Sequence, residues 1–330
     1  MDVGTRAGLP ELVAWDDEPE ATVERINAYV WDHRLSRRQL LQLGAWGAVA
    51  LALSSCKISS SALQALIDQI KNRPVRRELS AMGANDPIVV AYRTAVQKMR
   101  DLDGSDPANP LSWTKQATIH QNYCPHGNWL FLPWHRAYLL RFEEICRKLS
   151  GMTDFALPYW NWSSNPSIPA AFWNTSDSLY DSTRGATASS TVNPGTFGPP
   201  AIEVILDEPN FLIFASGQIP ATGSQRQSGG YGPLEGGPHN SLHGFVGGNM
   251  GTYMSPLDPV FWTHHNMIEA IWVEWNIKRG NPNTNASAWT GRTFTEFFDA
   301  NGAPVSTTVL ETILYPFFRY RFDDPVLGVP

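Results

Sequence analysis

Apolar residues recur at helical spacing in four stretches of this 330-residue chain. Asp86-Pro87 opens the first, and Ile88, Tyr92, Val96 and Met99 follow three or four positions apart, the spacing of one buried helix face. Residues 111–120 form a second stretch. Residues 133–149 form a third, with Gly151 as a stop, because glycine tolerates the left-handed turn that ends a helix. Asp258-Pro259 opens a fourth, where aspartate caps, proline takes the first helical position, and Lys278-Arg279-Gly280 closes it. Residues 163–235 carry Gly, Pro, Ser and Asn throughout and read as loops, with short strand signals at 201–206 and 211–214. The expected fold is therefore mainly α: a four-helix core wrapped in long loops, with a few short strands.

Composition narrows the class. Apolar residues make up 42% and charged residues 17% of the chain, enough for a large core and unlike a disordered sequence. A net charge of −6 provides no basic footprint for nucleic acid. Thirteen Trp, fifteen Phe and ten Tyr mostly fill core, and they also suit a site for flat organic molecules. The three cysteines, Cys56, Cys124 and Cys146, are too few for a disulfide framework and do not fix a redox compartment.

The N-terminal part reads differently from the rest. No apolar run reaches the length of a membrane span. Residues 40–53 are nearly uncharged, however, and follow Ser36-Arg37-Arg38-Gln39-Leu40-Leu41. A twin arginine before a modest apolar stretch resembles a Tat export signal, and Leu53-Ser54-Ser55-Cys56 resembles a lipoprotein processing box. A buried helix with two surface arginines is the other reading of this segment. The expected organisation is an N-terminal extension and signal over 1–56, a linker over 57–75 and one domain over 76–330. The signal implies an exported protein with a lipid anchor at Cys56; the buried-helix reading leaves it cytoplasmic.

Seven of the eight histidines fall into two groups: His120, His126 and His135, then His239, His243, His264 and His265. Two groups of three or more point to metal rather than to isolated polar residues. His239 and His243 are one helical turn apart and share a face. His264 and His265 diverge by about 100° on a helix, so one of them faces the other ligands. Imidazole suits zinc, copper, iron and nickel. The zinc-protease pattern needs Glu after the first histidine, where Asn240 stands. Carboxylate-bridged di-iron bundles need paired Glu-x-x-His, which the chain lacks. Two all-imidazole trios argue for two coppers.

The stretch from His126 through Trp129, Pro133 and His135 to Tyr138 resembles the first copper signature of the family of tyrosinases, catechol oxidases and molluscan haemocyanins. Residues 258–269, from Asp258 through Phe261 and His265 to Glu269, resemble the second. The resemblance spans about residues 75–325. It implies two copper ions binding dioxygen as a peroxide, with His120, His126 and His135 on one and His239, His243 and His265 on the other. In that family the second of the paired histidines is the ligand, so His264 is not carried over. The family has Asp where this chain has Glu269, a departure that bears on a helix contact and not on the metal.

Other roles follow from the same resemblance. Cys124 implies a thioether to His126; a free buried thiol is its alternative. Phe261 implies a ring packed over the site. Glu235 and Asn240 imply a pair holding a water that takes the phenol proton; the plain alternative makes Glu235 an exposed loop carboxylate and Asn240 a helix cap. Gly244 leaves room near the metal. Tyr320-Arg321-Phe322 resembles the motif that closes the family's catalytic domain, with Arg76 or Arg77 as its partner. No plug domain follows this motif, which predicts an open site. The implied activity is hydroxylation of monophenols and oxidation of o-diphenols by dioxygen. A catechol or o-aminophenol oxidase is the near alternative, and a haemocyanin-like oxygen carrier is the one from another class.

Overall fold

In the computed structural model of the protein, residues 65 and 68–323 are described. The chain divides at Arg73/Pro74 into two units, and the following concerns the second. Arg37, Arg38 and Cys56 of the expected export signal lie outside the described residues. Among the described residues no helix is long and apolar enough to cross a membrane.

The four expected helices form. They are α1 (Pro87–Ser105), α2 (Trp113–Tyr123), α3 (Phe131–Ser150) and, after the long loops, the helix that begins at Val260. Asp86 caps α1 by accepting the amide of Ile88 at 2.9 Å, and Ser112 caps α2. Gly151 ends α3 at φ +80°. Residues 201–206 and 211–214 are helical, not extended, in α4 (Pro199–Leu206) and α5 (Phe211–Phe214). A short apolar run cannot separate a strand from a buried helix by period alone. What decides here is local. Pro199-Pro200 sits in the first turn of α4, where the missing N–H costs nothing, and the Asn210 side chain caps α5. Val204 and Ile213 then face solvent while Ile205 and Phe214 face the core.

Further along come α6 (Asn240–Val246), α7 (Val260–Val273) and α8 (Val309–Phe318). A π-type segment carries α7 on to Lys278. Every residue from Val260 to Trp272 is buried, so α7 is the central helix, enclosed on all sides. α3 lies against α1, α7 and α8. The rings of Phe142 on α3 and Trp262 on α7 stack at 3.5 Å, and Tyr138 adds a contact to Trp262 at 4.6 Å. The Tyr92 hydroxyl on α1 donates to the Pro259 carbonyl just before α7. Among the described residues four short strands complete the fold: β1 (Val75–Arg76) pairs in parallel with β4 (Arg321–Phe322), and β2 (Thr293–Phe298) pairs antiparallel with β3 (Pro304–Thr308).

Buried charges fix how α7 sits. Arg184 grips Asp258 with two hydrogen bonds at the start of the helix. Arg136 on α3 donates to both oxygens of Glu269 at 2.8 and 2.9 Å, and the Tyr320 hydroxyl donates to the same carboxylate at 2.6 Å. Glu269 thus makes the helix contact that its length put in question. Breaking such a buried pair by truncating one partner costs about 3–5 kcal/mol, because the other charge is left stranded. Of the two candidate arginines it is Arg76 that meets the closing motif: its guanidinium lies 3.4 Å from the Tyr320 ring centroid, and its Nε donates to Glu143.

Candidate metal centre

Helices α2, α3, α6 and α7, with the loop after α2 and the π-type turn before α6, bring six imidazoles to one place. His120 sits in the last turns of α2, His126 in the loop after it and His135 in the first turn of α3. Their ring centroids form a nearly equilateral triangle of 5.6, 5.6 and 5.7 Å. His239 and His243 lie one turn apart at 4.7 Å, and His265 on α7 stands 4.8 and 5.5 Å from them. The two trios meet where His135 stacks on His265 at 4.4 Å.

Four of the six outer nitrogens are anchored by oxygen acceptors, whereas Nδ1 of His265 is buried without a hydrogen bond. Nδ1–H of His120 donates to the Tyr253 carbonyl at 2.8 Å, that of His135 to the Phe131 carbonyl at 2.8 Å, and that of His243 to the Met250 carbonyl at 2.7 Å. Nδ1 of His239 donates to Asn240 Oδ1 at 2.9 Å. A carbonyl only accepts, so each of these rings carries its proton on Nδ1 and leaves a lone pair on Nε2. Burial disfavours the imidazolium at all of these positions. It pushes the His126 pKa down to about 3 and that of His243 to about 4, and holds His120, His135, His239 and His265 well below the ordinary value. Neutral rings with free lone pairs are what a metal requires.

The inner nitrogens lack protein partners. Nε2 of His120, His135 and His239 is buried without a hydrogen bond, a costly arrangement unless something fills it. Nε2 of His243 and Nε2 of His265 face each other at 3.3 Å, which a shared metal would explain. The donor set fits metal ions that favour imidazole.

His264 is drawn into the same neighbourhood. One ligand atom from each of His239, His243, His264 and His265 falls within 4.8 Å of the others, as do those of His120, Cys124 and His126. The indole N–H of Trp162 donates to His264 Nδ1 at 3.2 Å. Indole cannot accept, so the neutral His264 ring carries its proton on Nε2, the nitrogen that a ligand would have to offer bare.

In the aromatic surround Phe261, the expected ring, is joined by Phe131 and Tyr253. Phe261 packs at 4.1 Å on His265 and 5.0 Å on His120. Phe131 does the same at 4.8 Å on His135 and 4.7 Å on His239. Each phenylalanine precedes its histidine by one helical turn, so Phe131 was visible in the sequence by the logic that picked out Phe261. Tyr253, whose ring stands 5.5 Å from His126, had no such signal. It lines a cavity of about 170 Å³ together with His120, His126, Tyr231, His239 and Asn240.

Glu235 is not an exposed loop residue. It is fully buried in a π-type turn that runs straight into His239. Its Oε1 accepts the Gly127 amide at 2.7 Å and its Oε2 the Ser216 hydroxyl at 2.5 Å. Burial pushes its pKa up to about 8, against the pull of those two donors. Ser216 holds φ at +144° to make its bond, a strained backbone for a residue with a side chain. Cys124 Sγ lies 3.4 Å from His126 Nδ1, and burial pushes its thiol pKa up.

A family model described as the common central domain of tyrosinase matches residues 109–208 and 186–278, a span that covers more than half the chain and contains both histidine groups. The chain belongs to the tyrosinase family. It is similar to tyrosinase HcTyr1 of Hahella sp. (strain CCB-MM4), 32% identical over 275 residues that cover 66% of this chain and 57% of that one. It is also similar to the chloroplastic catechol oxidase B of Solanum tuberosum, 30% identical over 71% of this chain and 46% of that one. The chain thus spans about half the length of the curated relatives it matches. The fold matches the crystal structure of polyphenol oxidase from Grenache (Vitis vinifera) at a TM-score of 0.68 and 24% identity, over 78% of this chain and 88% of that one. Membership of the tyrosinase family implies a dicopper centre, and the histidine cluster of this chain could hold metal.

Proposed function

We propose that this chain is a copper-dependent phenol oxidase that takes small phenols and dioxygen. His120, His126 and His135 would hold one ion, and His239, His243 and His265 the other. The observation that carries the reading is the gathering of six neutral imidazoles, three of which, His120, His135 and His239, have an anchored Nδ1 and an unpartnered Nε2. Copper held there would supply electron exchange between phenol and dioxygen. The residues of the chain keep the imidazoles neutral, fix their tautomers and leave one open face for a flat ring. A thioether between Cys124 and His126 belongs to the same proposal. The bond joins sulfur to a ring carbon; an S–H and a C–H bond break, and two electrons and two protons pass to dioxygen. Copper-loaded protein exposed to air is expected to weigh less than the metal-free chain by two hydrogens, and Cys124→Ala to show no such difference. Equal intact masses for both forms of the natural chain would leave Cys124 a free thiol.

The finer reading is hydroxylation of monophenols, with Glu235 and Asn240 holding the water that receives the phenol proton. A phenol has a pKa near 10, so at neutral pH it needs a base, and a base works best with a pKa near the working pH. A carboxyl pushed up to about 8 by burial meets that need, and Asn240 lines the cavity. One observation favours oxidation of o-diphenols alone: both Glu235 oxygens already accept protein donors, and the residue does not line the cavity. Glu235→Gln and Asn240→Ala, assayed in parallel on tyramine and dopamine, separate the two. Loss of about 10²-fold on tyramine with dopamine oxidation retained is the size expected for a lost general base. Equal loss on both substrates would make the pair purely structural, and no loss on either would remove it from the chemistry.

A further inference from the structure

The loop over residues 223–232 reaches the metal cavity at Tyr231 and is clamped at two points that bracket Arg226. The buried Asn128 side chain, two residues past His126, donates to the Gln225 carbonyl at 2.8 Å and to the Gln227 carbonyl at 2.9 Å. Gln225 reaches the Tyr123 carbonyl at 2.6 Å, and the Gly229 amide donates to the Gly127 carbonyl at 2.6 Å. Arg226 is therefore presented by a built support and not by a loose surface loop. Its guanidinium lies 5.1 Å from the centroid of the Tyr253 ring. That ring lines the cavity and stands 5.5 Å from His126 and 6.3 Å from His120. One aromatic ring thus separates an exposed cation from the metal centre.

The charges around Arg226 leave it available. Among the described residues its guanidinium makes one long hydrogen bond, 3.4 Å to the Asn122 carbonyl, and no ion pair. No Asp or Glu lines the cavity. Glu235 lies buried behind Gly127, and Glu296 is engaged by Trp134 Nε1, Gln225 Nε2 and the Thr295 amide.

We propose that Arg226, seated on Tyr253, is a specificity-determining residue that favours phenols carrying a carboxylate on the substituent remote from the hydroxyl. The phenol ring lies on the floor of the cavity, so its remote substituent points out toward Tyr253. A carboxylate there meets the guanidinium, while an ammonium is repelled. The inference rests on the phenol-oxidase reading. Because the pair is solvated, its effect is modest, about threefold in affinity, and it is screened by salt.

The test uses three o-diphenols that differ in the charge of their tails: 3-(3,4-dihydroxyphenyl)propionate, 4-methylcatechol and dopamine. For Arg226→Gln in the copper-loaded full chain, kcat/KM is expected to fall about threefold on the anion, to stay level on 4-methylcatechol and to rise on dopamine, with the change in KM rather than kcat. Arg226→Lys should restore the order, and high salt should erase it. With redox-inert zinc in place of copper, calorimetric binding of 3-(4-hydroxyphenyl)propionate should weaken by the same factor in Arg226→Gln. Equal shifts on all three diphenols would mean that Arg226 only orders its loop, and no shift on any would mean that it faces no substrate; either result overturns the proposal. If the natural chain oxidises none of the three, the phenol-oxidase reading itself fails, and this inference falls with it.

Discussion

Replacing His135, His239 or His265 by alanine is expected to remove one of two bound copper ions and abolish phenol oxidation, while His264→Ala keeps most of the copper. The Nε2 atoms of His135 and His239 are buried with no protein partner, so no hydrogen bond compensates for an empty site. Losing an outer-shell partner of a metal ligand typically costs 10–100-fold in affinity or activity, and losing the ligand itself should exceed that. His264 differs in one contact. Trp162 donates to its Nδ1, which leaves the proton on Nε2 and takes the ring out of ligand duty even though it lies among the others. Copper per chain by elemental analysis, with oxidation of 4-methylcatechol alongside, decides the matter. If His264→Ala lost a copper and His265→Ala kept it, the ligand assignment on α7 would be off by one residue.

The parts of this picture that were legible in the sequence are those written in local spacing. The helix starts at Asp86-Pro87 and Asp258-Pro259 are capping chemistry, and the core stripe of α1 is a period that sequence displays directly. The two histidine groups were legible because their members are close along the chain. The alignment of Arg76 with Tyr320 came from a motif rather than from spacing, and the structure pairs them as a stacked cation and ring. Residues 201–206 and 211–214 were misread because four to six apolar residues show no period; the first-turn prolines and the Asn210 cap held the information. The burial of Glu235 could not be read at all. Its glycine neighbours signal a loop, and the groups that enclose it come from elsewhere in the chain: Gly127 is 108 residues away and Ser216 is 19. Arg226 was equally hidden, since only the fold brings it to Tyr253 at the edge of the metal cavity.

Metal-free protein is expected to lose its fold sharply as pH falls from 6.5 toward 5, and bound copper is expected to move that transition to lower pH. His120, His135, His239, His264 and His265 are all buried, and burial is the first cause holding each pKa well below the ordinary value. In the unfolded chain these rings take up protons through about pH 6.5; in the folded chain they remain neutral to much lower pH. The unfolded state therefore binds more protons throughout that window, so stability is fully present above 6.5 and drains away as pH falls. His126 and His243, held at about 3 and about 4, behave the same way, and at pH 5 the linkage is worth about 2 kcal/mol for each of those two. The other five add in the same direction, against the roughly 5–15 kcal/mol that a domain commonly has. Glu235 works in the opposite direction and higher up. Its carboxyl, raised to about 8, is protonated when folded and ionised when unfolded between roughly 4.5 and 8, so its contribution fades as pH rises through that range. The metal-free chain should accordingly be most stable near neutrality, with Glu235→Gln removing the fall from there to about pH 8 and steepening the acid limb. Copper binds only the deprotonated imidazoles of the folded state, so it adds stability by mass action and opposes their protonation. Urea midpoints measured from pH 5 to 8.5, with and without copper, check each limb. A metal-free midpoint that stayed level from pH 7 to 5 would mean that the rings reach water, and that the cluster is not the closed, neutral site from which the copper assignment follows.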